Sequence, residues 1–86
     1  MNNKVLIKLI VPEIDDEFDV FIPVNEVIWK IKKMLVKSIN DVDGVNFDMK
    51  KDYILVKKDN NRVYKNNEIV IDTDIRNASE ILLVSK

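Results

Sequence analysis

Histidine and cysteine are absent from the 86 residues, glycine occurs once and proline twice. Without cysteine there is no disulfide framework, no thiol nucleophile and no thiolate metal site, and the redox compartment is left open. Without histidine the commonest general base is missing, and Ser38, Thr73, Ser79 and Ser85 have no recognisable activating neighbour. A single glycine is too few for a phosphate-cradling loop, and the scarcity of glycine and proline leaves no flexible linker. No stretch approaches the roughly 18 to 20 apolar residues of a membrane span. The N-terminal MNNKVLIKLIVPEIDDEF is broken by Lys8, with acidic residues where a cleavage site would sit, so it reads as a strand rather than a signal. These absences predict a non-enzymatic protein with no cofactor, no catalytic residue and no metal. The default location is the cytoplasm, without membrane insertion.

Charge of one sign is missing too. Fourteen basic residues against fifteen acidic give a net charge of -1, which removes the footprint of a general nucleic-acid binder. What is present is 47% hydrophobic and 34% charged residues, too apolar for disorder and too charged for a membrane protein. Residues 1–86 are expected to form a single domain, burying roughly 60 to 65% of the unfolded chain's surface around one core.

The stretch Val24 to Ile39, VNEVIWKIKKMLVKSI, has helical periodicity. At about 100° per residue, Val24, Val27, Ile28, Ile31, Met34, Leu35, Ser38 and Ile39 share one side, opposite Glu26, Lys30, Lys33 and Lys37. Asn25 is placed to cap it and Glu26 to favour its positive end, and it should stop near Asn40. An isolated amphipathic helix of this length is marginal in water, so a sheet must cover its apolar stripe.

Strand patterns flank it. Lys4 to Val11 sets Val5, Ile7, Leu9 and Val11 against Lys4, Leu6, Lys8 and Ile10, and Glu17 to Ile22 sets Phe18, Val20 and Ile22 against Glu17, Asp19 and Phe21. A hairpin turning about Ile14 and Asp15 would pair Val11 with Phe18, Leu9 with Val20 and Ile7 with Ile22. Its acidic turn, PEIDDE, reads as a solvated loop rather than a metal site. Beyond the helix, Asp41 to Lys51 is irregular. Gly44 there is free for a positive φ, its aspartates do not reproduce a calcium loop, and Phe47 and Met49 should fold back onto the domain.

Tyr53 to Lys57 is a third strand, whose inward pair is either Tyr53 and Leu55 or Ile54 and Val56. A short fourth strand is expected around Arg62 to Lys65, and Glu68 to Ile71 is extended. Asp72 can cap a single turn, Ile75 can plug the core, and Glu80 to Val84 closes the sheet, with Ile81 and Leu83 on one face. Asp72 and Asp74 read as an Asp capping a turn beside an exposed Asp rather than as an acid and base pair. A right-handed crossover through the helix would bring the following strand parallel to its partner, with the first and last strands side by side at the centre. The fold class is α+β: a β-grasp with a mixed four- to five-stranded sheet on one main helix.

With that order in place, VIDTDIRNASEILLV at residues 70–84 resembles ubiquitin, and the likeness runs over nearly the whole chain. The closer resemblance is to the bacterial YukD/EsaB family of type VII (WXG-type) secretion. It is carried by FDVFIPVNEVIWKIKKMLVKSI at 18–39 and VYKNNEIVIDTDIRNASEILLV at 63–84. The resemblance implies a cytoplasmic adaptor or regulator of secretion machinery, acting by protein contact. The sequence ends Val84-Ser85-Lys86 rather than in the diglycine of ubiquitin, from which conjugation is not expected.

The candidate contact residues follow from the alternation. If one sheet face covers the helix, then Leu6, Ile10, Phe21, Leu82 and Val84 face away, with Lys8 among them. A contiguous apolar patch there would dock a protein partner or a second copy of the chain; otherwise these side chains are scattered or covered by loops. Trp29, beside Lys32 and Lys33 and seven residues before Val36, either grips a partner or is covered by Phe47 or Met49.

Overall fold

A computed structural model describes residues 3–43 and 51–86. Four strands, β1 (Lys4–Val11), β2 (Asp16–Pro23), β3 (Tyr53–Lys57) and β4 (Glu80–Ser85), form one sheet in the order β2-β1-β4-β3, and helix α1 (Ile28–Asp43) lies between β2 and β3 in the chain. The first and last strands sit at the centre, and β1 with β4 is the parallel pair. The strand after the helix, β3, pairs antiparallel with β4, not parallel as a simple crossover suggests.

Alternation decides the faces. Ile7, Leu9 and Val11 of β1, Ile22 of β2, Leu55 of β3 and Ile81 and Leu83 of β4 are buried against the helix. Tyr53 and Leu55 are thus the inward pair of β3, and Ile54 and Val56 face the other way. On α1 the buried positions are Ile28, Ile31, Leu35, Val36 and Ile39. Met34 is 39% exposed, and Ser38 is exposed as well. The buried arc is therefore turned toward Val36, because the stripe has to meet β3 and Tyr53 as well as β1. Each aliphatic side chain so enclosed contributes about 1.5 to 3 kcal/mol.

Two local expectations are corrected by longer-range contacts. The hairpin pairs Val5 with Ile22, Ile7 with Val20, Leu9 with Phe18 and Val11 with Asp16, two residues from the expected register. Pro12 leaves the ladder at once, a 3-10 turn covers Pro12–Ile14, and Asp15 closes it in the left-handed region at φ 53. A shift of two preserves the side-chain alternation, so the core face survives. The helix starts at Ile28 rather than Val24, since residues 24–27 are a strut: Ile71 donates to the Val24 carbonyl, Val70 to that of Glu26, and Val27 bridges Ile69. Main-chain carbonyls of Glu68 and Asn66, at 2.8 and 3.2 Å from the amides of Ile28 and Trp29, occupy the place expected for an Asn25 cap.

Arg62 to Lys65 is not a strand; only Val63 bridges, to Val56. Ile69 is extended before a second 3-10 turn, Val70–Asp72, and Ile75 is buried as expected. The turn is closed by Thr73, not Asp72: its hydroxyl donates to the Val70 carbonyl at 2.6 Å and accepts from Ile75 N–H at 3.2 Å. The expectations for Gly44, Phe47 and Met49 lie outside the described residues.

Asn25→Ala should change stability by less than about 0.5 kcal/mol, whereas a true cap would cost about 1 kcal/mol. Leu35→Ala should cost about 2 to 5 kcal/mol. Urea unfolding monitored by circular dichroism measures both.

Candidate functional site

The sheet face turned away from α1 is built by residues between those that make the core. Register sets Leu6 beside Phe21, Lys8 beside Asp19 and Glu80, and Ile10 beside Glu17 and Leu82. On the other flank Leu82 lies opposite Val56, Val84 opposite Ile54, and Val63 bridges Val56. The face is therefore not one apolar patch. A larger apolar island of Ile10, Leu82, Val84, Ile54 and Val56, extended by Val63 at 50% exposure, is separated from a smaller one of Leu6 (37%) and Phe21 (58%). Between them runs the band Asp19, Lys8, Glu80, with Lys8 Nζ 3.8 Å from Glu17 and Lys58 Nζ 3.5 Å from Glu80. Six of the seven expected contact residues share this face, but they divide between two islands and a charged strip. Ile54, Val56 and Val63 join them; the first two already stood in the sequence as the alternative inward pair.

Trp29 belongs elsewhere. It sits in the first turn of α1, on the helix side of the molecule, and is 42% exposed. The Nζ atoms of Lys30 and Lys33 lie 5.5 and 5.3 Å from its ring centroid, close enough for cation–π attraction. Beside it opens a cleft of about 280 Å³ lined by Lys32, Lys33, Val36 and Tyr53 among others. Lys32 donates to the Tyr53 carbonyl at 2.8 Å, and burial lowers its pKa, opposed by Asp52 and reinforced by Lys86. Val36 itself is buried. Among the described residues no group of three or more acidic, histidine or cysteine side chains is placed to hold a metal ion, and no helix is long and apolar enough to cross a membrane.

No family model and no curated protein sequence matches the chain. Solved structures do. A chain of the MycP5-free ESX-5 inner membrane complex (State II) is similar over 99% of this chain, with a TM-score of 0.81 and 11% identity; the match takes in 21% of that chain. A chain of the toluene 4-monooxygenase HD complex with the inhibitor 4-bromobenzoate matches with a TM-score of 0.78 and 6% identity, covering 96% of this chain and 99% of that one. The UBL domain of Plasmodium falciparum Dsk2 matches with a TM-score of 0.70 and 14% identity, over 96% and 99% of the two chains. The chain has the ubiquitin-like β-grasp fold. It spans about a fifth of the ESX-5 component that it matches.

In this β-grasp, the segment between β3 and β4 is held by a polar cluster that sequence reasoning missed. Asp74 is its hub: Tyr64 donates to Oδ1 at 2.6 Å, Lys57 Nζ lies 3.2 Å from Oδ2, and Arg62 Nη1 lies 3.2 Å from Oδ1. Arg62 also reaches Glu68 Oε2 at 2.7 Å and stacks 5.1 Å above the Tyr64 ring. Local sequence presents Asp74 only as an exposed neighbour of Asp72, because its partners are ten or more residues away. The cluster pins residues 62–64 along β3, where Lys57 donates to the Arg62 carbonyl and Tyr64 to that of Leu55, so Val63 is presented on the open face.

Burial, and then the bond to Asp74, push the Tyr64 phenol above its usual range, while that hydroxyl, with Lys57 and Asn60 and against burial, draws Asp74 down to about 2. An unfolded aspartate titrates near ~3.9. A depressed folded pKa contributes stability above the unfolded value, and the contribution is lost as pH falls from about 4 toward 2. Asp74→Asn should flatten that acid limb. It should cost on the order of 1 kcal/mol at neutral pH, because the carboxylate is partly exposed and its charge partners are screened. Urea unfolding between about pH 3 and 7 checks both.

Proposed function

We propose that the chain is a YukD/EsaB-type ubiquitin-like protein: a cytoplasmic, non-enzymatic adaptor or regulator of a type VII-like secretion system, acting by protein contact. The observation that carries the contact reading is the apolar island of Ile10, Ile54, Val56, Leu82 and Val84 on the sheet face that the helix leaves uncovered. An antiparallel face open to water ordinarily reads polar, and apolar area left on such a face marks a surface with a partner. The half-buried aliphatic side chains offer the centre of such a contact, and the charged band Asp19, Lys8, Glu80 offers a polar rim. The secretion context draws support from the sequence patterns at 18–39 and 63–84 and from the likeness to the ESX-5 complex component. A fold hosts many functions, so the partner rests on those two observations together.

Leu82→Arg should leave the circular dichroism spectrum and unfolding midpoint nearly unchanged and weaken co-purification with secretion components at least tenfold. Deletion of the gene should impair export of WXG-type substrates. Normal export together with no association would refute the secretion reading. Self-association through the same island is the competing reading, and it requires a concentration-dependent dimer that Leu82→Arg abolishes; light scattering of a monomer at high concentration removes it.

A further inference from the structure

The two edges of the sheet are finished differently. Beside β3 the segment 62–64 takes up outward-facing main-chain groups; β2 has no such neighbour among the described residues. In β1, Leu6 and Lys8 turn their amides toward the β4 side, to Asn77 Oδ1 at 2.8 Å and the Ser79 carbonyl at 2.9 Å. Val5, Ile7, Leu9 and Val11 therefore bond to β2, through Ile22, Val20, Phe18 and Asp16. Glu17, Asp19 and Phe21 are left with their main-chain groups pointing outward. The Glu17 amide is satisfied by Asp16 Oδ1 at 2.8 Å. Those of Asp19 and Phe21 face the open edge, a template for another strand.

Along this edge runs a groove of about 500 Å³ between β2 and α1, with Phe18, Val20, Leu35 and Ile39 in its lining. Its rim carries more acid than base: β2, DEFDVFIP, has Asp16, Glu17 and Asp19, all exposed, and no basic residue, while Lys8 of β1 lies beside Asp19 and 3.8 Å from Glu17. Two copies of β2 side by side would bring these carboxylates into one ribbon, and like charges across strands are destabilising. The same acids favour a basic partner.

We propose that the outer edge of β2 and the groove beside it dock an extended segment of a partner protein in which Lys or Arg alternates with aliphatic residues. The segment adds as a fifth strand beside β2. Its main chain pairs with Asp19 and Phe21, its aliphatic side chains enter the groove toward Leu35 and Ile39, and its basic side chains turn to the opposite face, beside Glu17 and Asp19. This surface shares Asp19 with the polar rim of the open face but takes in none of its apolar island, so Leu82→Arg separates the two readings.

The test uses the isotope-labelled protein and three synthetic peptides in which Lys alternates with Val, Ile or Leu. Saturable amide shifts confined to residues 16–22 and 35–39 are expected from at least one. Replacing its Lys by Glu should weaken binding at least tenfold, as should N-methylation of the amides on its pairing edge. The protein variant Glu17→Lys/Asp19→Lys, exposed at both positions, should reverse the preference between Lys and Glu peptides. Leu82→Arg should leave binding unchanged. Absence of saturable binding by all three peptides, undiminished binding of the N-methylated form, or shifts centred on Ile54 and Leu82 would overturn the proposal.

Discussion

The parallel pairing of β1 with β4 is the contact on which the rest depends. It joins Leu9 to Ile81 and Ile10 to Leu82, residues at opposite ends of the sequence, and such a pairing closes a long loop before it repays the entropy spent. Repayment comes from the helix, because Leu9 and Ile81 are excluded from water only when α1 is seated over them. Once those strands are central, β2 and β3 become edges and one face of the sheet is committed to the core. Both candidate contact surfaces follow from that commitment: the face turned away from α1, and the β2 edge, which no described residue pairs.

The stretch between β3 and β4 has little regular structure, yet it presents no loose flap. Asp74 gathers Tyr64, Arg62 and Lys57 into one cluster, and the carbonyls of Asn66 and Glu68 serve the first amides of α1. One irregular segment thus closes the β3 edge, starts the helix and displays Val63. Hydrogen bonds to a charged group are stronger than neutral ones, which suits a segment with few apolar side chains to bury. Among the described residues the β2 edge receives no such closure, and it is guarded by carboxylates, a common way to deter pairing with like strands that leaves oppositely charged ones welcome.

Much of the architecture was legible in the sequence because the signals are local. Alternation in Lys4 to Val11 and in Glu80 to Val84 named the inward residues before any partner was known, and a two-residue error in hairpin register did no damage because it preserved that alternation. The helical stripe was legible too, apart from Met34, Ser38 and Val36, whose exposure depends on where β3 passes. The candidate face was legible as a set of residues and not as a surface: Leu6, Ile10, Phe21, Leu82 and Val84 alternate correctly, but nothing local places Glu80 and Asp19 on either side of Lys8.

The sequence by itself determined which elements form and which side of each is apolar, since both are properties of spacing along one segment. Tertiary structure alone decided where the helix begins, which pair of β3 turns inward, how the open face is divided and what Asp74 binds. Each of these is settled by a neighbour distant in the chain, through a carbonyl that satisfies an amide or a charge that lies across a strand, and periodicity within a segment carries no record of such neighbours.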